Sequence, residues 1–219
     1  MFIGHIAVGL ASKKISPRLS LGTLLLAVLF IDLLWPVMLI MGWEKVVIDP
    51  GITAFTPLDF ISYPITHSLL MVIIWGLAFG FVYFLFRRHL LNAIILGSCV
   101  VSHWLLDFVS HRPDLPLAPG VPTVVGLGVW NFFWVSLVVE SLLYVVGISL
   151  YLTVSRPKNR MGTYSFWSLI LFLGAIFIAN AFGPPPPNEK AIAYAGLALW
   201  LLPLWGYWIE RHREPRRNW

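Results

Sequence analysis

Charge and sulfur are what this chain has least of: only 11% of its 219 residues are charged and one is a cysteine. A lone Cys99 excludes an intramolecular disulfide, and the redox compartment therefore stays unread. So little charge excludes an ordinary water-solvated surface. The net charge of +5 is small and spread along the chain, and with no basic patch it excludes a nucleic-acid partner. Internal repeats and long polar linkers are missing too, which leaves one domain over residues 1–219.

What the chain has instead is apolar length. Hydrophobic residues make up 58% of it and the mean hydropathy is +0.81, the composition of a membrane protein. A hydrocarbon core of about 30 Å needs about 20 helical residues to cross it. Runs of that kind begin near Leu21, Ser68, Leu91, Val129, Phe166 and Ala191. The expected fold is an all-α integral membrane protein with about six transmembrane helices. The fifth and sixth of these occupy 166–209, and the polar residues of interest lie in 1–145.

The 15 Lys and Arg fall between the runs in two sets. Lys13, Lys14, Arg18, Arg87, Arg88, Arg156, Lys158, Arg160, Arg211, Arg213, Arg216 and Arg217 fall on one side, and only Lys45, Arg112 and Lys190 on the other. Under the positive-inside rule both termini are cytoplasmic, and loops 43–66, 110–128 and 183–190 face outward. The first residues, MFIGHIAVGLASKK, have neither the basic start nor the cleavage site of a signal peptide. They are too short to span, so the expectation is a short half-inserted or interfacial helix.

Ionisable residues inside the runs are few: Asp32, His103, Asp107 and Glu140, with His67 and His111 at the outer edges. A charged aspartate near the centre of a span costs roughly 2.5 to 3.5 kcal/mol on insertion scales, so each needs a partner. At a rise of about 1.5 Å per residue, Asp32, His103 and Glu140 reach a common depth. The result is a polar shaft open to the outside. His103, Asp107 and His111, four residues apart, share one stripe of the third span, a spacing that suits ligands converging on one cation. Zinc takes imidazole nitrogen and carboxylate oxygen and in catalytic sites keeps a position for water. His67, His103 and Asp107 could supply three ligands. His111, Asp32 and Glu140 are candidates for a second metal, for orienting a histidine, or for the base that deprotonates bound water. His5, on the N-terminal helix, reaches the floor of the shaft if that helix is inserted and is a surface residue if it is not. In the long outer loop, Asp59 and Tyr63 are candidate substrate-binding residues. Arg112, the cation nearest the mouth, suits a phosphate.

GHIAVGL at 4–10, the aspartate closing LLLAVLFID, THSLL at 66–70 and SHWLLD at 102–107 together resemble the bacterial inner-membrane, LexA-binding metal-dependent hydrolases. That family is distantly similar to the zinc-dependent phospholipases C. The resemblance covers about residues 3–115. It implies a bacterial cytoplasmic membrane location, a divalent metal (zinc for choice), and His5, Asp32, His67, His103 and Asp107 as ligands or their neighbours. It also implies hydrolysis of a phosphoester such as a phospholipid. Leu34 stands where the family pattern has a second aspartate, and SYPI where it has His-Arg-Gly. Two rival readings use the same residues: a proton-coupled transporter or permease, and a scaffold whose polar cluster fixes helix packing. The sequence leaves the oligomeric state open.

Overall fold

Long apolar runs become helices because a backbone in hydrocarbon has to satisfy its own hydrogen bonds. The computed structural model describes residues 1–216. Arg217, counted above with the basic tail, lies outside them. The chain runs through helices α1 (Phe2–Ser12), α2 (Leu21–Val28) and α3 (Phe30–Ile40), then a hairpin of β1 (Lys45–Ile48) and β2 (Leu58–Ser62). Two long helices follow, α4 (Leu69–Arg87) and α5 (Leu90–Ser110), and then a small ladder of β3 (Leu115–Pro116) and β4 (Val124–Val125). The chain continues through α6 (Phe133–Val154), β5 (Ser155–Pro157), α7 (Arg160–Phe182), α8 (Glu189–Ala198), α9 (Leu201–His212) and β6 (Arg213–Pro215). All three strand pairs are antiparallel. β1–β2 and β3–β4 lie at one end of the bundle, and β5–β6 lies with most of the cations at the other.

Helix starts follow local chemistry. The side chains of Ser20, Ser68, Asn159 and Asn188 accept from the backbone N–H three residues on and so cap α2, α4, α7 and α8. Among the described residues, five helices are long and apolar enough to cross a membrane: α4, α5, α6, α7 and the α8–α9 pair over Glu189–His212. A sixth is reached if α2 and α3 count as one span. The sequence presents that first span as unbroken, but the two helices are bent by 52° at Leu29. A helix end leaves carbonyls without an intrahelical partner. At this break His103 Nδ1 takes up the Val28 carbonyl, 3.1 Å away.

The interfacial placement of α1 is not what the fold adopts. α1 lies inside the bundle against α6, α2 and α5, with Ile3, Ile6 and Leu10 buried. Gly147 of α6 makes that approach possible, because a Cβ there would sit 2.6 Å from the Ala7 carbonyl oxygen. α4 is the opposite case. Only 11% of its apolar window is buried in the molecule, and the face that is buried packs on α5. There the backbones nearly touch, since a Cβ on Gly80 would sit 2.7 Å from the Ala93 oxygen. Its other face, including Leu77 and Phe81, is exposed and apolar, as a lipid-facing surface is.

Candidate metal centre

Four elements deliver the polar cluster. Asp32 sits in the first turn of α3, just past the bend, where the helix N-terminus favours a carboxylate. His67 comes from the turn before α4, and His103 and Asp107 from one face of α5. His5 comes from α1. Its ring stacks on His103 with centroids 3.7 Å apart and planes 5° from parallel. His5, His67, His103 and Asp107 are buried, and the Asp32 side chain keeps 22% of its surface. Asp32 is therefore the most exposed member of the cluster.

Asp107 is the hub. Its Oδ1 accepts a hydrogen bond from the Met1 α-amino group at 2.7 Å and lies 3.2 Å from His5 Nε2. Its Oδ2 lies 3.1 Å from His103 Nε2 and 4.0 Å from His67 Nε2. Asp32 Oδ1 faces the same two imidazoles, 3.5 Å from His103 Nε2 and 3.8 Å from His67 Nε2. Two groups of three have donor atoms close enough to share one ion: His5, His103 and Asp107, and Asp32, His67 and His103.

The decisive detail is on the far side of each ring. A carbonyl oxygen can only accept, so His103 Nδ1 carries a proton to donate to Val28 O. That leaves Nε2 as the atom facing the cluster, buried and 3.1 Å from Asp107 Oδ2 and 3.5 Å from Asp32 Oδ1, where either a proton or a metal ion could sit between them. His67 reaches the same state by another route. The Thr66 hydroxyl donates its single proton to Glu44 Oε2 at 2.6 Å, so Oγ1 must accept from His67 Nδ1, 2.7 Å away. Two imidazole Nε2 atoms and two carboxylates thus converge, beside the Met1 ammonium already paired with Asp107. A buried carboxylate oxygen and an imidazole Nε2 are stable so close together only with a proton or a cation between them. The donor set of nitrogen and carboxylate oxygen fits zinc, and the Nδ1–H bonds fit the outer hydrogen bonds that metal-bound histidines make.

The remaining candidates fall elsewhere. Glu140 is buried on α6 and lies against the backbone N–H groups of Ile3 and Gly4, which places it as a cap for the start of α1. Arg112, Asp59, Tyr63 and His111 form a second group beside the first. Arg112 pairs with Asp59 of β2 and, at 3.1 Å, with Asp114 Oδ2. Asp114 Oδ1 accepts from the Tyr63 hydroxyl at 2.8 Å and lies 3.0 Å from His111 Nδ1. Burial and the neighbouring Asp114 push the Tyr63 phenol well up, so it remains a donor. Burial likewise pushes His111 down, toward the neutral ring. This second group ties the β1–β2 hairpin to the segment after α5. The Tyr63 ring, 5.1 Å from that of His67, forms a wall between the two groups.

Glu44 and Thr66 are the functional residues that sequence reasoning passes over. Their separation of 22 positions has no helical or strand meaning, and only the β1–β2 hairpin brings them together. A surface pocket of about 460 Å³ lies beside them, lined by Leu39, Glu44, Lys45, Val46, Lys190 and Tyr194 among others. No family model, curated protein or solved structure matches the chain.

Proposed function

We propose that this is a membrane-embedded metal-dependent hydrolase acting on a phosphoester, with a phospholipid as the favoured substrate class. One observation carries the reading: the Nε2 atoms of His67 and His103 converge with the carboxylates of Asp32 and Asp107 in a buried space. A divalent cation, zinc first among the choices, would be held by His103 together with Asp32 and His67, or with His5 and Asp107, the two overlapping groups of three. When bound it would supply a Lewis acid and lower the pKa of a coordinated water. Asp32, with its partly open carboxylate, is the group placed to take a proton from incoming water. The resemblance to the bacterial inner-membrane hydrolases supports the same chemistry and a location in that membrane.

The surroundings favour a lipid. The five long apolar helices suit a bilayer, and the 460 Å³ pocket has mostly apolar walls between Lys45 and Lys190. An acyl chain fits those walls, while Glu44 and Glu189 line the pocket with the two lysines and none of the cluster's side chains reaches it. Arg112, engaged by Asp59 and Asp114, serves to hold the rim and contributes to phosphate binding only if that pairing opens.

The test is metal content by mass spectrometry on protein purified in mild detergent without chelator, followed by release of phosphorylated headgroup from mixed phospholipid micelles. Stoichiometric metal and metal-dependent release, both lost in His103→Ala and Asp107→Ala, is the expected result. Folded protein that takes up neither zinc nor manganese would overturn the reading.

A further inference from the structure

His67 is the one member of the cluster held by a side-chain relay, and every atom of that relay is accounted for. Glu44 is 2% exposed and Thr66 is fully buried. Glu44 Oε1 accepts two backbone bonds, from Ile65 N and Thr66 N, each 2.8 Å. Its Oε2 accepts the Thr66 hydroxyl at 2.6 Å, and Thr66 Oγ1 lies 2.7 Å from His67 Nδ1. The carboxylate therefore reads out in one direction only. The Thr66 hydroxyl spends its one proton on Glu44 Oε2, so the imidazole must supply the next proton from Nδ1.

We propose that Glu44 is a positioning residue that fixes the tautomer of His67 through Thr66, and so decides that Nε2 arrives at the cluster as a lone pair. The inference rests on the metal-centre reading for its purpose, though not for its geometry. A buried acid that only closed the hairpin would need the two backbone bonds to Ile65 and Thr66. The third bond, to the hydroxyl that touches His67, is what sets the ring.

Replacing one atom makes this testable. In Glu44→Gln the amide oxygen is required at Oε1, where two N–H groups need an acceptor, which leaves the NH₂ at Oε2. That NH₂ donates to Thr66 Oγ1, the hydroxyl turns round to donate to His67 Nδ1, and the ring must carry its proton on Nε2 instead. Shape is preserved and the lone pair is removed from the cluster. Thr66→Ser keeps the relay, and Thr66→Val deletes it.

The experiment is ring-nitrogen NMR of isotope-labelled histidine in metal-free protein at about pH 9, well above the unperturbed histidine pKa of about 6.5. His67 is assigned by the signal lost in His67→Gln. Wild type and Thr66→Ser are expected to show His67 protonated at Nδ1 alone, and Glu44→Gln at Nε2 alone. Zinc affinity by competition with a chromophoric chelator should fall about 10- to 100-fold in Glu44→Gln and Thr66→Val, and be largely retained in Thr66→Ser. A wild-type His67 protonated at Nε2, or at both nitrogens, overturns the proposal without needing any variant to fold. So does Glu44→Gln with an unchanged tautomer or wild-type zinc affinity. If wild type binds no metal at all, the proposed function fails, while the tautomer measurement still decides the relay.

Discussion

Two buried polar clusters lie at opposite ends of the bundle, and their hydrogen-bond accounts differ. At the basic end Arg213 is buried, and each of its nitrogens has an acceptor: Ser155 Oγ at 3.0 Å, Gly162 O at 2.9 Å and Ser155 O at 3.2 Å. Its guanidinium also lies over the Phe166 and Tyr151 rings. Lys13, equally buried, gives its protons to Leu19 O and Glu210 Oε1, and Glu210 Oε2 accepts from Leu21 N at the start of α2. Burial pushes both cations down from their ordinary pKa values, with Glu210 opposing this at Lys13. Each buried cation there has carbonyl, hydroxyl or carboxylate acceptors, although the buried Tyr151 hydroxyl beside Arg213 has no hydrogen-bond partner among the described residues, so the charges are satisfied as they stand. In the Asp32, His67, His103 and Asp107 cluster, two carboxylates share two imidazole Nε2 atoms, and the only fixed cation there among the described residues is the Met1 ammonium on Asp107. A satisfied network rigidifies a fold, while an unsatisfied one costs stability and persists where something else is to be bound.

The comparison can be broken most sharply with metal. His103→Ala and Asp107→Ala each remove a donor from the shared cluster, and zinc affinity is expected to fall by more than 100-fold, measured by chelator competition. At the other cluster, Arg213→Met leaves a buried hydroxyl and two carbonyls without a donor. It should cost about 3 kcal/mol of stability and leave zinc affinity unchanged, read as a lowered Tm in detergent and by the same competition assay. Lys13→Met strands a carboxylate that is 24% exposed, so a smaller loss of about 1 to 2 kcal/mol is expected. Asp32→Asn sharpens the contrast from the other side. Without metal it relieves repulsion, so the metal-free protein should keep or slightly raise its Tm while losing metal-dependent stabilisation. A marked loss of metal-free stability in Asp32→Asn would place this cluster in the same structural class as the one around Arg213. The smallest effect is expected for Asp59→Asn, at or below about 1 kcal/mol, because the Arg112 and Asp59 side chains are 31% and 20% exposed and water screens the pair.

The long spans are legible in the chain. α4, α5, α6 and α7 coincide with apolar runs, because the length needed to cross hydrocarbon is written in consecutive residues. The α1 helix is legible as a helix but not as a core element. Its burial depends on Gly147, 140 positions past Ala7, leaving room for its backbone. The bend at Leu29 is likewise invisible in LLLAVLFID, which contains neither glycine nor proline. There the tertiary partner of the freed Val28 carbonyl, His103, stands where a local signal would.

The candidate site divides the same way. His103 and Asp107 are four residues apart on one helix, so the sequence alone places them on one face. Equal depth suggests Asp32 as their neighbour, and the structure puts it 3.5 Å from His103. Equal depth also gathers Glu140, which sits against the start of α1 and close enough to Met1 and Asp107 to feel their charges. Depth is one coordinate of three, and the rotation of each helix about its axis is set by packing. The sequence by itself determined the solvent of this protein, the length of its helices and the small stock of polar residues that a membrane interior must partner. Only the tertiary structure decided which of those residues meet, and that Glu44 reaches His67 through Thr66. Those outcomes depend on contacts between residues far apart in the chain, where neither period nor spacing carries information.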